Sequence, residues 1–132
     1  MGYILGRSMF KDDSRLEEMG ADSICIKDMA GLLLPYASYE LVKALKENVK
    51  IPIQLHTHYT AGVASMTVLK AVEAGVDIID TAMSPFAMGT SQPPTEPIVA
   101  SLAGTQYDTG LSLKKLDKAS KMFDALREKY LA

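Results

Sequence analysis

Short apolar runs alternate with longer amphipathic stretches from Ala21 onward. Three of the short apolar runs are rich in β-branched residues, which predicts β-strands over Ser23 to Lys27, Ile51 to His58 and Val76 to Asp80. Pro52 suits the opening of its strand, because a proline in mid-strand would remove a ladder hydrogen bond. Strands that alternate with helical stretches predict an α/β fold with a parallel sheet.

Helical spacing predicts the elements between the strands. A first helix is expected to begin at Pro35 and end near Asn48, with one apolar face. The residues of that face are Leu41, Val42, Leu45 and Val49. A second helix follows, with Gly75 as its left-handed terminator and apolar residues three positions apart. These residues are Val63, Met66, Leu69 and Val72.

The C-terminal part of the chain predicts a loop and two more helices. Pro, Gly and Ser residues make Ser84 to Pro94 a loop, and a short helix is expected from Thr95 to Ala103. The last helix, from Leu113 to Tyr130, carries a single apolar stripe. The stripe consists of Leu113, Leu116, Phe123, Leu126 and Tyr130.

Two architectures fit a parallel sheet with helices: an open doubly wound sheet, and part of a (β/α)8 barrel of the TIM type. The open sheet normally has a Gly-rich phosphate-binding turn after its first strand, and this sequence has none. A barrel instead gathers polar residues at the C-terminal ends of its strands. The three predicted strands end in Lys27-Asp28, His56 with His58, and Asp80-Thr81, which favours the barrel.

Composition narrows the class of protein. The chain has 132 residues, 48% of them hydrophobic, and a formal charge of −2, which suits one soluble globular domain. No apolar run approaches the roughly 20 residues of a membrane span, and no signal peptide is recognisable, so a cytoplasmic location is expected. Basic residues form no stripe, which argues against nucleic acid as a partner. Cys25, the single cysteine, is expected to be a buried, inert thiol.

His56 and His58 are the candidate ligands of a divalent metal ion. Residues two apart in a strand point to the same side, so both imidazoles should face the barrel axis, as half of a site for Zn²⁺, Mn²⁺ or Co²⁺. The alternative is a chance His-x-His pair on the surface. Lys27 ends an apolar strand, where its charge has to be paired or removed. From the residues alone, pairing with Asp28 or Asp80 is favoured over reaction of the amine with CO₂ to a metal-binding carbamate.

Four segments, in order, resemble the carboxyltransferase domain of biotin-dependent enzymes, in particular the oxaloacetate decarboxylase α subunit and the carboxyltransferase part of pyruvate carboxylase. The segments are ADSICIKDMAGLL (Ala21 to Leu33), QLHTHYTAG (Gln54 to Gly62), AGVDIIDTAMSPFAMGTSQPPTE (Ala74 to Glu96) and GTQYDTGL (Gly104 to Leu111). The resemblance implies that Lys27 is a carboxylated, catalytic lysine ligand and that His56 and His58 are the two imidazole ligands. It also implies a 2-keto acid substrate and a biotin carrier domain as partner.

Biotin itself is expected on a separate domain or subunit. Residues Ala119 to Met122 read ASKM, close to the AMKM attachment motif of the family, but Lys121 falls inside a predicted helix rather than at a hairpin tip. The GTSQP loop, Gly89 to Pro93, resembles a loop at the barrel mouth and is expected to shape the site.

The chain is expected to be about half a barrel, since a complete one takes about 250 residues. We divide it into a junction over residues 1–15, with no counterpart of the family's aspartate ligand, and a partial carboxyltransferase domain over residues 16–132. Tyr3 to Leu5 is a candidate strand and Asp12 to Met19 a candidate helix. Unpaired sheet edges predict a homo-oligomer that completes the barrel.

Whether the chain is an enzyme stays open at this point. The first hypothesis is a metal-dependent decarboxylase or carboxyltransferase that acts on oxaloacetate or pyruvate. The alternatives are a non-catalytic metal-binding oligomer, a metal-free folding module, and a fragment with a different, acquired activity.

Overall fold

The computed structural model describes residues 15–130, which form an α/β unit with a three-stranded sheet. The strands are β1 (Ile24–Asp28), β2 (Ile53–Thr57) and β3 (Ile78–Ile79). The helices are α1 (Pro35–Asn48), α2 (Ala64–Glu73), α3 (Thr95–Leu102) and α4 (Leu113–Tyr130), with one 3-10 turn at Ser84–Phe86. The predicted strand Tyr3 to Leu5 lies outside the described residues, and residues 15–18 of the predicted N-terminal helix are helical.

The strands lie in the order β1-β2-β3 and pair in parallel, which confirms the predicted α/β class. β1 keeps the predicted length of five residues but lies one position later, whereas β2 is shortened to five residues and β3 to two. The described residues do not close into a barrel; their sheet is open at β1 and at β3. Completion of a barrel by oligomerisation stays a prediction.

The core lies between one face of the sheet and helices α1, α2 and α3. Ile53 and Leu55 are fully buried on that face, and Val42, Leu45 and Val68 cover them from the helices. The apolar face predicted for α1 is confirmed, because all four of its residues are buried.

Helix α2 buries a different face from the one that its apolar residues suggested. Met66 and Leu69 are exposed, whereas Thr67, Val68 and Ala71 are buried. Each residue of an α-helix is rotated by about 100° from the one before it, so a residue three positions further on lies about 60° short of a full turn. A series of apolar residues spaced by three therefore drifts around the helix and does not stay on one face. The helix does end at Gly75 as predicted, since that glycine has a φ of 95°.

The second face of the sheet is not covered by the described helices, and we call it the open face. Cys25 and Lys27 of β1 and Gln54 and His56 of β2 project there, because side chains alternate along a strand. The prediction that Cys25 is buried is therefore wrong: it is exposed, since its strand has only one face against helices. Partial burial and the charge of Asp80 raise the pKa of the Cys25 thiol, against the opposing effect of Lys27.

Asp77 joins the beginnings of β2 and β3. Its carboxylate accepts hydrogen bonds from the Ile53 backbone N–H at 2.8 Å and from the Lys46 ammonium at 2.9 Å. Burial alone would raise the pKa of Asp77, but these hydrogen bonds outweigh burial and leave that pKa below its ordinary value. Asp77 thus fixes the strand that precedes Asp80.

The predicted loop and the last two helices are confirmed with their bounds nearly unchanged. Helix α4 keeps its apolar stripe but buries none of it completely. Phe123 packs edge-on against Phe86 of the 3-10 turn, with ring centroids 6.0 Å apart. Within residues 15–130, no helix is both long and apolar enough to cross a membrane.

Candidate metal centre

Lys27, His56 and His58 lie together at the C-terminal end of the sheet. In the parallel register, Lys27 is the direct partner of His56 on the neighbouring strand. The backbone N–H of His58 donates to the Asp28 carbonyl at 3.0 Å, which continues the pairing one step beyond β2. The three side chains named from the sequence therefore occupy adjacent positions at the edge where parallel-barrel proteins carry their sites.

The two imidazole rings converge. Their Nε2 atoms are 3.2 Å apart, and the ring centroids are 5.2 Å apart with an angle of 59° between the planes. The opposite nitrogen of each ring is held by an oxygen acceptor. Nδ1 of His56 is 2.7 Å from the Asp80 carboxylate, and Nδ1 of His58 is 2.5 Å from the Thr90 carbonyl.

These acceptors assign the tautomers. A carbonyl and a carboxylate only accept hydrogen bonds, so both Nδ1 atoms carry a proton and, in neutral rings, both Nε2 atoms present a lone pair. Two lone pairs facing each other at 3.2 Å repel unless a donor or a cation lies between them. Histidines that bind a metal are oriented in this way, with the distal N–H on a carboxylate or carbonyl.

The spacing of the rings fits a divalent ion. Two nitrogens that each lie 2.0–2.1 Å from a tetrahedral ion are about 3.3 Å apart. The observed separation is 3.2 Å. Among residues 15–130, no cluster of three His, Cys, Asp or Glu side chains has the geometry to hold an ion. A complete coordination sphere therefore needs ligands of another kind beside the two imidazoles.

Lys27 is not paired with either of the carboxylates considered from the sequence. Asp28 turns to the helix side of the sheet, where its carboxylate accepts from the backbone N–H groups of Leu32 and Leu33. Asp80 instead accepts from His56 and, at 2.8 Å, from the Gln54 amide. Neither carboxylate forms a salt bridge with Lys27 in the described part of the chain. The pairing of Lys27 with Asp28 or Asp80, favoured from the residues alone, is therefore not found in the described part of the chain.

Asp28 braces the ends of β1 and β2. Its buried carboxylate also accepts from the Thr57 hydroxyl at 2.9 Å, so it joins the turn after β1 to the residue before His58. Gly31, in that turn, has a φ of 65° and lies against the His58 carbonyl. A Cβ at Gly31 would be 2.3 Å from that oxygen, so only glycine permits this close approach.

The GTSQP loop contacts both imidazole rings. The Tyr59 backbone N–H donates to the Ser91 carbonyl at 2.8 Å, and the Thr90 carbonyl holds His58. The amide nitrogen of Gln92 lies 3.4 Å from Nε2 of His56 and 3.3 Å from Nε2 of His58. The loop thereby supplies direct contacts to both rings as well as shape.

Sequence reasoning missed these supporting residues. Asp80 was recognised as a polar residue at a strand end, but its bond to His56 was not anticipated. The sequence did hold a signal for this contact, because side chains two apart along a strand point to the same side of the sheet. Asp80 therefore lies on the same side as Ile78, which is in register with Gln54 on the strand that carries His56. Gln92 is 36 positions from His56, and no periodic pattern connects the two.

A parallel sheet with convergent imidazoles at its C-terminal edge identifies an α/β protein with a candidate metal site. Residues 10–123 match the family model described as HMGL-like. The chain belongs to the HMGL-like family.

Within that family, the chain is similar to subunits of carboxylases and carboxyltransferases. The chain is 65% identical over 116 residues to a pyruvate carboxylase subunit of Methanocaldococcus jannaschii, covering 88% of this chain and 20% of that protein. It is 46% identical over 118 residues to the methylmalonyl-CoA carboxyltransferase 5S subunit of Propionibacterium freudenreichii, covering 88% of this chain and 23% of that one. The chain spans about a fifth of the length of the curated relatives it matches.

The fold is similar to a solved carboxyltransferase domain. The carboxyl transferase domain of Rhizobium etli pyruvate carboxylase, solved with 3-hydroxypyruvate, superposes with a TM-score of 0.90 at 45% identity. The match covers 92% of this chain and 20% of that chain. The resemblance to carboxyltransferase domains of biotin-dependent enzymes, inferred from four sequence segments, is confirmed.

Proposed function

We propose that this chain contributes the metal-binding half of a carboxyltransferase site, which acts on pyruvate or oxaloacetate with biotin as carboxyl carrier. The proposal rests chiefly on the two imidazole Nε2 atoms, 3.2 Å apart with both Nδ1 atoms held by acceptors. The relatives named as pyruvate carboxylase and carboxyltransferase subunits support the reaction class. Biotin would be carried on a separate domain or subunit.

His56 and His58 would bind a divalent ion, Zn²⁺, Mn²⁺ or Co²⁺, through Nε2. When bound, such an ion supplies Lewis-acid polarisation of a 2-keto acid oxygen. The protein's own part is orientation: Asp80 and the Thr90 carbonyl fix the tautomer of each ring. Asp28 and Thr57 hold the strand ends that carry the rings.

Lys27 would complete the set as a carbamate. In that reaction the neutral amine of Lys27 forms an N–C bond to CO₂ and releases one proton, which leaves an anionic oxygen ligand. Within the described residues Lys27 forms no salt bridge to Asp28 or Asp80, so neither carboxylate holds its side chain away from the two rings. The position of Lys27 beside His56 in the register supports it too.

Loss of oxaloacetate, followed with free biotin present, tests the proposal. We expect decay above the buffer rate that disappears with a chelator and returns when Zn²⁺, Mn²⁺ or Co²⁺ is added. His56→Ala should abolish the decay, and Lys27→Met should reduce it strongly. Gln106→Ala, which removes an exposed side chain outside the site, is the matched control. Equal rates with and without chelator would exclude the metal-dependent reaction.

A second candidate is an ion-binding protein that does not turn over the keto acid. Its support is the pair of imidazole Nε2 atoms 3.2 Å apart, which could hold an ion without any residue that contacts the keto acid. Stoichiometric ion binding that depends on His56, together with oxaloacetate loss at the buffer rate, would select this candidate.

A further inference from the structure

Gln92 reaches both imidazoles from the GTSQP loop. The amide nitrogen and the two ring Nε2 atoms form a nearly equilateral triangle, with sides of 3.2, 3.3 and 3.4 Å. The backbone of the loop is anchored, since the Met88 N–H donates to the Gln92 carbonyl at 2.9 Å and Pro93 is fully buried. The amide is therefore held at the rings by its own loop.

The amide presents its nitrogen to the rings and its oxygen away from them. The Ser91 hydroxyl donates to Oε1 of Gln92 at 3.3 Å, which fixes the oxygen on the far side. The opposite orientation would place an oxygen lone pair against two nitrogen lone pairs, because both Nδ1 atoms carry the protons. The NH₂ group has two hydrogens, one for each ring.

We infer that Gln92 is an affinity-setting residue of this centre, whose side-chain amide competes with a divalent ion for the lone pairs of His56 and His58. Each Nε2 has a single lone pair, which accepts a hydrogen bond or binds an ion but not both. The amide must turn away before the ion can take both nitrogens. The inference rests on the proposed metal-binding function of the two histidines.

The first test compares Co²⁺ binding by the native protein, Gln92→Met and Gln106→Met. Methionine keeps the length of the side chain but has no N–H donor. In the native protein, Co²⁺ binding must break the two weak hydrogen bonds from the Gln92 amide to the rings. This loss corresponds to an affinity for Co²⁺ about threefold to tenfold lower than in a protein without these bonds. We therefore expect Gln92→Met to bind Co²⁺ about threefold to tenfold more tightly, by visible absorption and chelator competition. Gln106→Met, exposed and outside the site, should match the native protein.

An unchanged or weaker affinity in Gln92→Met would overturn the inference. A weaker affinity would identify Gln92 as a ligand or as a support for the rings instead.

A second measurement separates this inference from the proposed function. In NMR spectra of chelator-treated protein labelled with ¹⁵N at histidine, the ¹⁵N chemical shifts of both Nε2 atoms should be those of an unprotonated, hydrogen-bonded nitrogen. Gln92→Met should move both shifts toward the value of an unprotonated nitrogen without a hydrogen bond and leave the Nδ1 shifts unchanged. An Nε2 signal in the protonated range, or no change on substitution, would refute the role of Gln92. Failure of the native protein to bind any ion would instead refute the proposed function.

Discussion

Replacing Gly31 with alanine is expected to disturb the end of β2 that carries His58. The added Cβ would lie 2.3 Å from the His58 carbonyl oxygen and 3.2 Å from the Thr60 backbone nitrogen. Both contacts are with backbone, which cannot rotate away as a side chain would. The carbonyl must retreat by about 0.7 Å to reach the 3.0 Å below which such contacts are essentially never found.

Two effects contribute to the loss of stability expected for Gly31→Ala. A non-glycine residue in the left-handed region, at the φ of 65° found for Gly31, loses about 1–2 kcal/mol. Relief of the steric overlap adds about 1–3 kcal/mol, the range for overpacked sites. We therefore expect a loss of about 2–5 kcal/mol in the free energy of unfolding.

Gly62→Ala is the matched control. Gly62 also has a positive φ, of 75°, but a Cβ there meets nothing within 4 Å. Its substitution should lose only the conformational part, about 1–2 kcal/mol. Urea unfolding and Co²⁺ titration of both variants give the comparison. Gly31→Ala should be the less stable and the weaker in ion binding, and equal behaviour of the two would refute the steric argument.

Three further outcomes are expected. Asp80→Asn should weaken Co²⁺ binding about 10- to 100-fold, as loss of a carboxylate behind a ligating imidazole does; an unchanged dissociation constant would remove Asp80 from the site. Asp77→Ala should lower the free energy of unfolding by about 1–3 kcal/mol, because the buried Ile53 N–H loses its acceptor, whereas Asp117→Ala, from an exposed ion pair, should change it by at most about 1 kcal/mol. The pKa of Asp77 is lower in the folded protein than in the unfolded chain, where it is about 3.9. The contribution of Asp77 to the free energy of unfolding is therefore complete above the unfolded pKa and is lost as the pH falls through the lower folded pKa. The native protein should therefore lose its advantage over Asp77→Ala in acid; a difference that is the same at pH 7 and pH 3 would contradict this. Finally, free Co²⁺ at 100 times its dissociation constant should raise the free energy of unfolding by about 2.7 kcal/mol, and His56→Ala should abolish that increase.

Strong local signals made most of the fold predictable. Helix α1 has a proline at its start and a regular apolar face, and its observed bounds, Pro35–Asn48, agree with the pattern. Helix α2 was located correctly, but its buried face was not. The reason is that Met66 and Leu69 are apolar yet exposed, while the polar Thr67 is buried and donates to the Leu33 carbonyl at 2.7 Å. Hydrophobicity alone does not reveal such a hydrogen bond.

The ligand candidates could be predicted, but not their supports. His56 and His58 share a side of the sheet because strand parity requires it, and Lys27 follows from the parallel register. The roles of Asp28 and Gln92 depend on contacts between segments 29 or more residues apart along the chain. No periodicity within a single element encodes them, so they emerge only when the turn after β1 and the GTSQP loop are packed onto β2.

Nε2 of His56 and Nε2 of His58 are proposed to bind one divalent ion beside Lys27. An anomalous difference map from crystals grown with Co²⁺, collected on both sides of the cobalt absorption edge, would show such an ion. We predict one strong peak at bonding distance from both nitrogens, with electron density for a carbamate on Lys27 reaching the same ion. A map with no peak between the rings, or with a peak bound to only one of them, would contradict the account.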